Sequence, residues 1–162
     1  MKQVRSLSAG EMERIAGALA RKLLRLRRTA KQALVVRLKG NLGSGKTTFV
    51  RGFLKACGVR GTVTSPTFVL VRRYRIPKKN PSGILRILHI DAYRITKPAE
   101  LSMLGFKEWL NNPGTLMMIE WPERIGSLLP RSAISIGFKH GKREGERWVV
   151  LPCILLQSQE PR

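Results

Sequence analysis

The chain has 162 residues, with 31 Lys and Arg against 10 Asp and Glu, which gives a formal net charge of +21. This length suits one domain with one hydrophobic core, and a hydrophobic content of 43% excludes a disordered chain. The charge favours an anionic partner, whether nucleic acid, nucleotide or acidic membrane, and carries no information about the fold. The two cysteines, Cys57 and Cys153, lack zinc-site spacing, and no apolar run could span a membrane, so we expect a cytoplasmic protein with no membrane partner.

The sequence predicts that helices and strands alternate along the first half of the chain. Ser8 and Glu11 have the spacing of a capping box, which predicts the start of a helix. A strand over 33–39, a loop over 40–45 and a helix over 46–57 follow, and Gly58 is placed to end that helix. The remaining predicted elements are a hairpin of the extended runs 62–76 and 84–90, short helices over 98–104, 107–110 and after Pro122, and strands over 116–119, 134–138 and 148–151.

This order predicts the α/β class, with antiparallel β additions, and the length suits a single domain. The domain is predicted to cover residues 1–156, and residues 157–162 are predicted to be a flexible C-terminal tail.

The segment from Gly40 to Thr47 matches the phosphate-binding pattern G-x-x-x-x-G-K-[ST] at every fixed position. A strand precedes it and a helix follows it, so backbone N–H groups and the helix N-terminus would face phosphate oxygens. Lys46 would reach the β- and γ-phosphates, and the Thr47 hydroxyl would bind Mg²⁺. The predicted nucleotide-binding residues of this segment are Asn41, Leu42, Gly43, Ser44, Gly45, Lys46, Thr47 and Thr48.

Two acids stand directly after apolar runs, Asp91 after ILRILHI and Glu120 after LMMI. The carboxyl ends of strands line the ligand crevice of an open α/β sheet, so both acids could converge on a magnesium–nucleotide complex. Asp91 is the only acid between Glu13 and Glu100. A solvated strand end or a helix cap is the alternative for each acid.

The motifs GNLGSGKTTFVRGFL, VTSPTFVLVRRY, HIDAYRI, LGFKEWL, MIEWPERI and LLP occur in this order along the chain. Together they resemble the TsaE family, bacterial P-loop ATPases of the pathway that forms threonylcarbamoyladenosine in tRNA, and the resemblance covers Leu7 to Val150. It implies a single P-loop NTPase-like domain whose mostly parallel central sheet is flanked by helices. It also implies ATP and Mg²⁺ as ligands, and TsaD and TsaB as partner proteins. TsaD transfers the threonylcarbamoyl group, while the ATPase docks on it and resets the complex.

The resemblance also implies roles for individual residues. Thr47 and Glu120 would hold Mg²⁺, and Asp91 would lie near the metal and serve hydrolysis together with Lys46 and Glu120. The remaining implied positions are a switch-like loop with Thr64, Ser65 and Thr67, Trp121 beside the site, and Ser8 near the adenine.

Two departures from the family pattern occur, Ala92 in place of leucine and Asn41 in place of aspartate. Neither removes a reacting group. No arginine finger is identifiable, and Arg94 is the nearest candidate by motif, so slow hydrolysis without partners is expected.

Two other functions stay open at this point, a P-loop small-molecule kinase and a basic nucleic-acid-binding module with a structural P-loop. The family role does not account for the charge, so tRNA could be a partner either indirectly or through direct contact with the basic surface. The basic clusters of the sequence are the run Arg21–Arg28 and the segment 72–79.

Overall fold

The computed structural model describes residues 1–61, 63–66, 68–77 and 79–153. No helix in these ranges is both long and apolar enough to cross a membrane. The elements are β1 (Lys2–Ser6), α1 (Ala9–Arg25), β2 (Leu34–Lys39), α2 (Lys46–Ala56), β3 (Val71–Arg75), β4 (Arg86–Asp91), α3 (Ala99–Met103), α4 (Phe106–Leu110), β5 (Thr115–Glu120), a 3₁₀ segment (Pro122–Leu128), β6 (Ile134–His140) and β7 (Arg147–Leu151).

The strands of the described chain form one sheet in the order β1-β7-β6-β2-β5-β4-β3. Four consecutive strands, β6, β2, β5 and β4, run parallel, while β3, β7 and β1 pair with their neighbours antiparallel. The predicted α/β class, with a parallel centre and antiparallel additions, is therefore confirmed. The carboxyl ends of β2, β4 and β5 meet at one edge of the sheet, which is where ligands bind in such folds.

Helices α1 and α2 pack against each other and against one face of the sheet. The apolar stripe of α1 is buried there, at Met12, Ala16 and Leu19 among others. A Cβ atom on Gly52 of α2 would lie 2.4 Å from the Cα of Glu13, so this contact requires glycine. The other face of the sheet packs against α3, α4 and the 3₁₀ segment.

Most predicted elements are confirmed, with shifted ends. Ser8 caps α1 by accepting a hydrogen bond from the Glu11 amide, and Gly58 follows α2 with a φ of 81°. The hairpin of β3 and β4 forms, but its first strand begins only at Val71, so the described residues between 63 and 70 are not strand as predicted. No sequence pattern predicted β1. The predicted tail over 157–162 lies outside the described residues.

Candidate functional site

The phosphate loop joins the carboxyl end of β2 to the N-terminus of α2. Gly43 and Gly45 have φ values of 71° and 99°, in the left-handed region that favours glycine. A Cβ atom on Gly45 would also approach the side chain of Met12 to 2.9 Å. Within the loop, the hydroxyl of Ser44 is buried and has no hydrogen-bond partner among the described residues. The loop thus presents a hydrogen-bonding group that is available to a ligand.

A cleft of about 280 Å³ lies in front of this loop. It is lined by Leu42, Gly43, Ser44, Gly45, Lys46, Thr47, Thr48, Ser65, Asp91, Tyr93, Glu120 and Trp121. The fold therefore brings together predicted site residues that are far apart in sequence, and it adds Tyr93, which was not predicted.

Three of the predicted site residues do not line this cleft. Asn41 is exposed and does not line the cleft, and Thr64 is exposed in the segment before β3. Ser8 lines a neighbouring cavity of about 190 Å³ that reaches the other side of the phosphate loop. Thr67 lies outside the described residues.

The two predicted acids end adjacent parallel strands in matching register, Asp91 on β4 beside Glu120 on β5. Both carboxylates are almost fully buried, with exposures of 4% and 3%. The Thr47 hydroxyl donates to Glu120, with Oγ1 2.9 Å from Oε1. A hydroxyl and a carboxylate, both oxygen donors suited to Mg²⁺, thus meet at the start of α2.

Asp91 connects this pair to the loop that precedes β3. Its Oδ1 accepts a hydrogen bond from the Tyr93 amide at 3.0 Å, which fixes the orientation of the carboxylate. Its Oδ2 accepts one from the Ser65 hydroxyl at 3.3 Å. A movement of the loop that contains Ser65 would therefore change a hydrogen bond of the Asp91 carboxylate.

Lys46 lies inside the phosphate loop and is 4% exposed. Its Nζ donates to the backbone carbonyls of Gly40 and Asn41, at 2.7 and 2.9 Å. Burial lowers the pKa of the Lys46 ammonium, and the negative charges of the nearby carboxylates, with Glu120 the strongest, act to raise it. Burial and the neighbouring negative charges thus act in opposite directions on the pKa of the Lys46 ammonium.

The indole of Trp121 covers Lys46, with Nζ 4.2 Å from the ring centroid. Trp121 has a φ of 56° and a ψ of 48°, a left-handed conformation that is costly for a bulky residue. The ring of Tyr93 packs 5.0 Å from the indole. The strained backbone after β5 thus turns an aromatic side chain back over the phosphate loop.

His89 is a member of the site that sequence reasoning did not identify. Its position two residues before Asp91 places it on the same side of β4, where the sequence alone favours a packed or hydrogen-bonded histidine. The ring is fully buried, and Nε2 lies 2.8 Å from Oε1 of Glu120. His89 and Thr47 therefore both contact Oε1 of Glu120.

The hairpin of β6 and β7 also contacts the phosphate loop, and no local sequence pattern predicted this contact. Nε of Arg147 donates to the Gly43 carbonyl at 2.9 Å, and Nε2 of His140 lies 3.1 Å from the Leu42 carbonyl. These contacts join residues 104 and 98 positions apart. They fix the outer half of the phosphate loop to the sheet.

Arg94, the candidate arginine finger, does not line the phosphate cleft. Its guanidinium lies 4.9 Å from the ring centroid of Phe68, on the exposed side of the loop. None of the described residues that line the cleft is an arginine.

The donor set of the cleft fits Mg²⁺ bound together with phosphate. No group of three His, Cys, Asp or Glu side chains in the described ranges is arranged to hold a metal ion by itself. Mg²⁺ is typically bound by one or two protein carboxylates together with substrate phosphates and waters. Thr47 and Glu120, with Asp91 beside them, provide such a partial set.

Comparison with known proteins identifies relatives of the chain. The sequence model of the TsaE family, threonylcarbamoyl adenosine biosynthesis protein TsaE, matches residues 8–149. The tRNA threonylcarbamoyladenosine biosynthesis protein TsaE of Haemophilus influenzae is 38% identical over 109 residues, which cover 67% of this chain and 65% of that protein. The protein of the same name from Rickettsia prowazekii is 44% identical over 106 residues, or 65% and 68% of the two chains. The aligned region thus spans about two thirds of these curated relatives.

A solved structure agrees with the sequence matches. The crystal structure of Bacillus subtilis YdiB superposes with a TM-score of 0.67 at 28% identity. The superposition covers 91% of this chain and 82% of that one, so the likeness extends over nearly the whole fold.

Proposed function

Because the chain belongs to the TsaE family of threonylcarbamoyl adenosine biosynthesis proteins, we propose that it binds and hydrolyses ATP with Mg²⁺. In this proposal, hydrolysis supports the formation of threonylcarbamoyladenosine in tRNA, together with partners like TsaD and TsaB. The observation that carries the proposal is the contact of Thr47 with Glu120 at 2.9 Å, directly behind the phosphate loop and beside Asp91.

The phosphate loop would bind the nucleotide. Its N–H groups and the N-terminus of α2 favour negative charge, and the unpartnered Ser44 hydroxyl can donate to a phosphate oxygen. Phosphate oxygens would replace the two carbonyl acceptors of Lys46, which already lies within the loop. Thr47 and Glu120 would hold Mg²⁺, which neutralises charge on the phosphates when bound.

The proposed reaction is cleavage of the bond to the γ-phosphate by water. We assign the orientation of the attacking water to Asp91, because Glu120 contacts Thr47 and would hold Mg²⁺ with it, while Asp91 ends the adjacent strand and also lines the cleft. Lys46 and the loop amides stabilise the charge that develops on the phosphoryl oxygens.

Hydrolysis by the isolated protein should be slow. No arginine in the described part of the chain lines the cleft, and an arginine finger is worth on the order of 10³–10⁵ in rate in related enzymes. A docked partner could supply this charge or rearrange the Ser65 loop, which contacts Asp91.

The test is release of inorganic phosphate from ATP with and without TsaB–TsaD. We compare the wild type with Lys46→Ala and Glu120→Ala, and with the matched controls Lys107→Ala and Glu144→Ala, whose side chains are exposed. The partners should stimulate the wild type and both controls, whereas the two site variants should lose the stimulated rate.

Three results would contradict the proposal. Full-rate hydrolysis by the isolated protein, unchanged by the partners, removes the partner-dependent role. Phosphate transfer to a small acceptor in step with ATP consumption indicates a kinase. Wild-type function in Lys46→Ala leaves only a structural role for the phosphate loop.

A further inference from the structure

The edge of the sheet opposite the phosphate cleft is built from the segments that enter the parallel strands and from the C-terminal ends of α1 and α2. The Ser82 amide donates to the Leu24 carbonyl at 3.2 Å, which joins the turn before β4 to the end of α1. Arg28 donates to the Pro113 carbonyl at 3.0 Å, which joins the same region to the turn before β5. These segments therefore form one continuous surface.

This surface is strongly basic. The ranges 25–33, 58–61, 75–86 and 111–114 contain no Asp or Glu. Seven exposed cations occur in their described parts, and none forms an ion pair with a described carboxylate. We call this set the basic edge, and its members are Arg25, Arg27, Lys31, Arg60, Arg75, Lys79 and Arg86.

A groove of about 770 Å³ opens beside the basic edge, between the turn after α2 and the outer strand β3. Arg60 stands on one side of the groove, and Arg73 and Arg75 stand on the other. Tyr74 also lines it, and the Tyr74 hydroxyl is buried without a hydrogen-bond partner. The groove is thus concave and cationic, and one residue of its lining, Tyr74, has a hydroxyl without a hydrogen-bond partner among the described residues.

Arginine on an edge strand also prevents strands of different molecules from pairing. That role would explain only the arginines of β3. It does not account for cations from the end of α1, the turn after α2 and the turn before β4, brought together by the fold from separate parts of the chain.

We propose that the basic edge and its groove bind the phosphate backbone of RNA, on the side of the molecule away from the nucleotide site. Guanidinium groups match phosphate oxygens in a bidentate manner. Tyr74 is the only aromatic residue among the described residues that line the groove, so contacts are to phosphate and not to stacked bases. The choice of tRNA as the RNA rests on the proposed function.

An anionic membrane fits this surface less well. Membrane-surface segments combine cations with apolar side chains that enter the lipid. Leu85 is the only large, exposed apolar residue in the described parts of these segments. A flat bilayer also cannot enter a groove, whereas a single phosphate backbone can.

The experiment measures binding of a fluorescent tRNA transcript to the full chain by anisotropy, between about 50 and 300 mM KCl. The test variant is Arg60→Ala/Arg75→Ala/Lys79→Ala. The matched control, Lys97→Ala/Arg124→Ala/Lys142→Ala, removes the same charge from exposed residues outside the basic edge. Melting temperatures establish that both variants fold.

Wild-type affinity should fall steeply with salt. The test variant should lose affinity by on the order of 10–100-fold at low salt, and its log–log salt slope should be shallower by about 2–3. The control should bind like the wild type. An equal loss in both variants assigns binding to net charge and overturns the proposal, as does a wild type that binds no tRNA.

Vesicles containing phosphatidylserine provide the remaining arm. Vesicle binding that is lost in the test variant, while tRNA binding is kept, assigns the surface to lipid and overturns the proposal. ATP hydrolysis is measured on the same samples, so an error in the proposed ATPase function is distinguishable from an error about RNA.

Discussion

Replacing His89 with phenylalanine tests whether the buried imidazole positions Glu120 for Mg²⁺. The imidazole Nε2 lies 2.8 Å from Oε1 of the carboxylate, and neither residue is more than 3% exposed. Phenylalanine retains the ring and fills the space but cannot donate a hydrogen bond. The carboxylate would then keep only its contact with Thr47.

The expected loss of stability is small. A hydrogen bond to a charged group contributes about 1.5–3 kcal/mol. The substitution also removes Nδ1 of His89, a buried atom without a partner, which offsets part of the loss. We therefore expect a decrease in the free energy of unfolding of about 1–2 kcal/mol. This lowers Tm by about 2–8 °C for a chain of this size.

The expected loss of metal affinity is larger. Outer partners that orient a metal ligand contribute about 10–100-fold to affinity. A Mg²⁺ titration of the partner-stimulated ATPase should therefore show half-maximal activity at about 10–100-fold higher Mg²⁺. His89→Gln, whose amide can donate to the carboxylate, should recover part of this loss.

Glu120→Gln and the double variant with His89→Phe complete the experiment. If His89 acts through Glu120, the two effects on the Mg²⁺ requirement are not additive, and the double variant resembles Glu120→Gln alone. A lower Tm with an unchanged Mg²⁺ requirement would mean that His89 only packs, and the positioning role would be wrong.

Three further predictions concern other parts of the molecule. Arg147→Ala removes the hydrogen bond to a phosphate-loop carbonyl and should weaken ATP binding several-fold by calorimetry, about 1 kcal/mol, whereas Arg143→Ala, an exposed neighbour, should not. Ser8→Ala removes the N-cap of α1 and should cost about 1 kcal/mol in chemical unfolding; no change would refute the capping role. Burial raises the pKa of Cys57 to about 12, so Cys57 should become reactive only on unfolding, while exposed Cys153 reacts with a thiol reagent in the native protein at neutral pH.

The phosphate loop was predictable because its geometry is local. Gly43 and Gly45 are needed for left-handed backbone, and Lys46 and Thr47 follow at fixed spacing. The positions of the two acids were also predictable, because an acid directly after a buried parallel strand lies at the carboxyl edge. Their role in catalysis remains a prediction.

The contacts that support the site could not be predicted in the same way. The bond between His89 and Glu120 depends on the register of β4 with β5, which no local pattern fixes. The strand β1 was missed because its sequence, KQVRS, lacks apolar alternation. It is held by backbone pairing along β7 and buries only Ser6 fully.

The basic edge and the two buried carboxylates of the cleft lie at opposite ends of the parallel strands. Asp91 ends β4, and Arg86 of the basic edge begins it. The Cα atoms of these two residues are therefore separated by roughly 17 Å. That separation exceeds the Debye length of about 8 Å at physiological ionic strength. Removing charge from the basic edge should thus leave ATP affinity within about twofold of the wild type at this ionic strength while weakening RNA binding. A parallel loss of both would mean that the two surfaces are coupled through the fold.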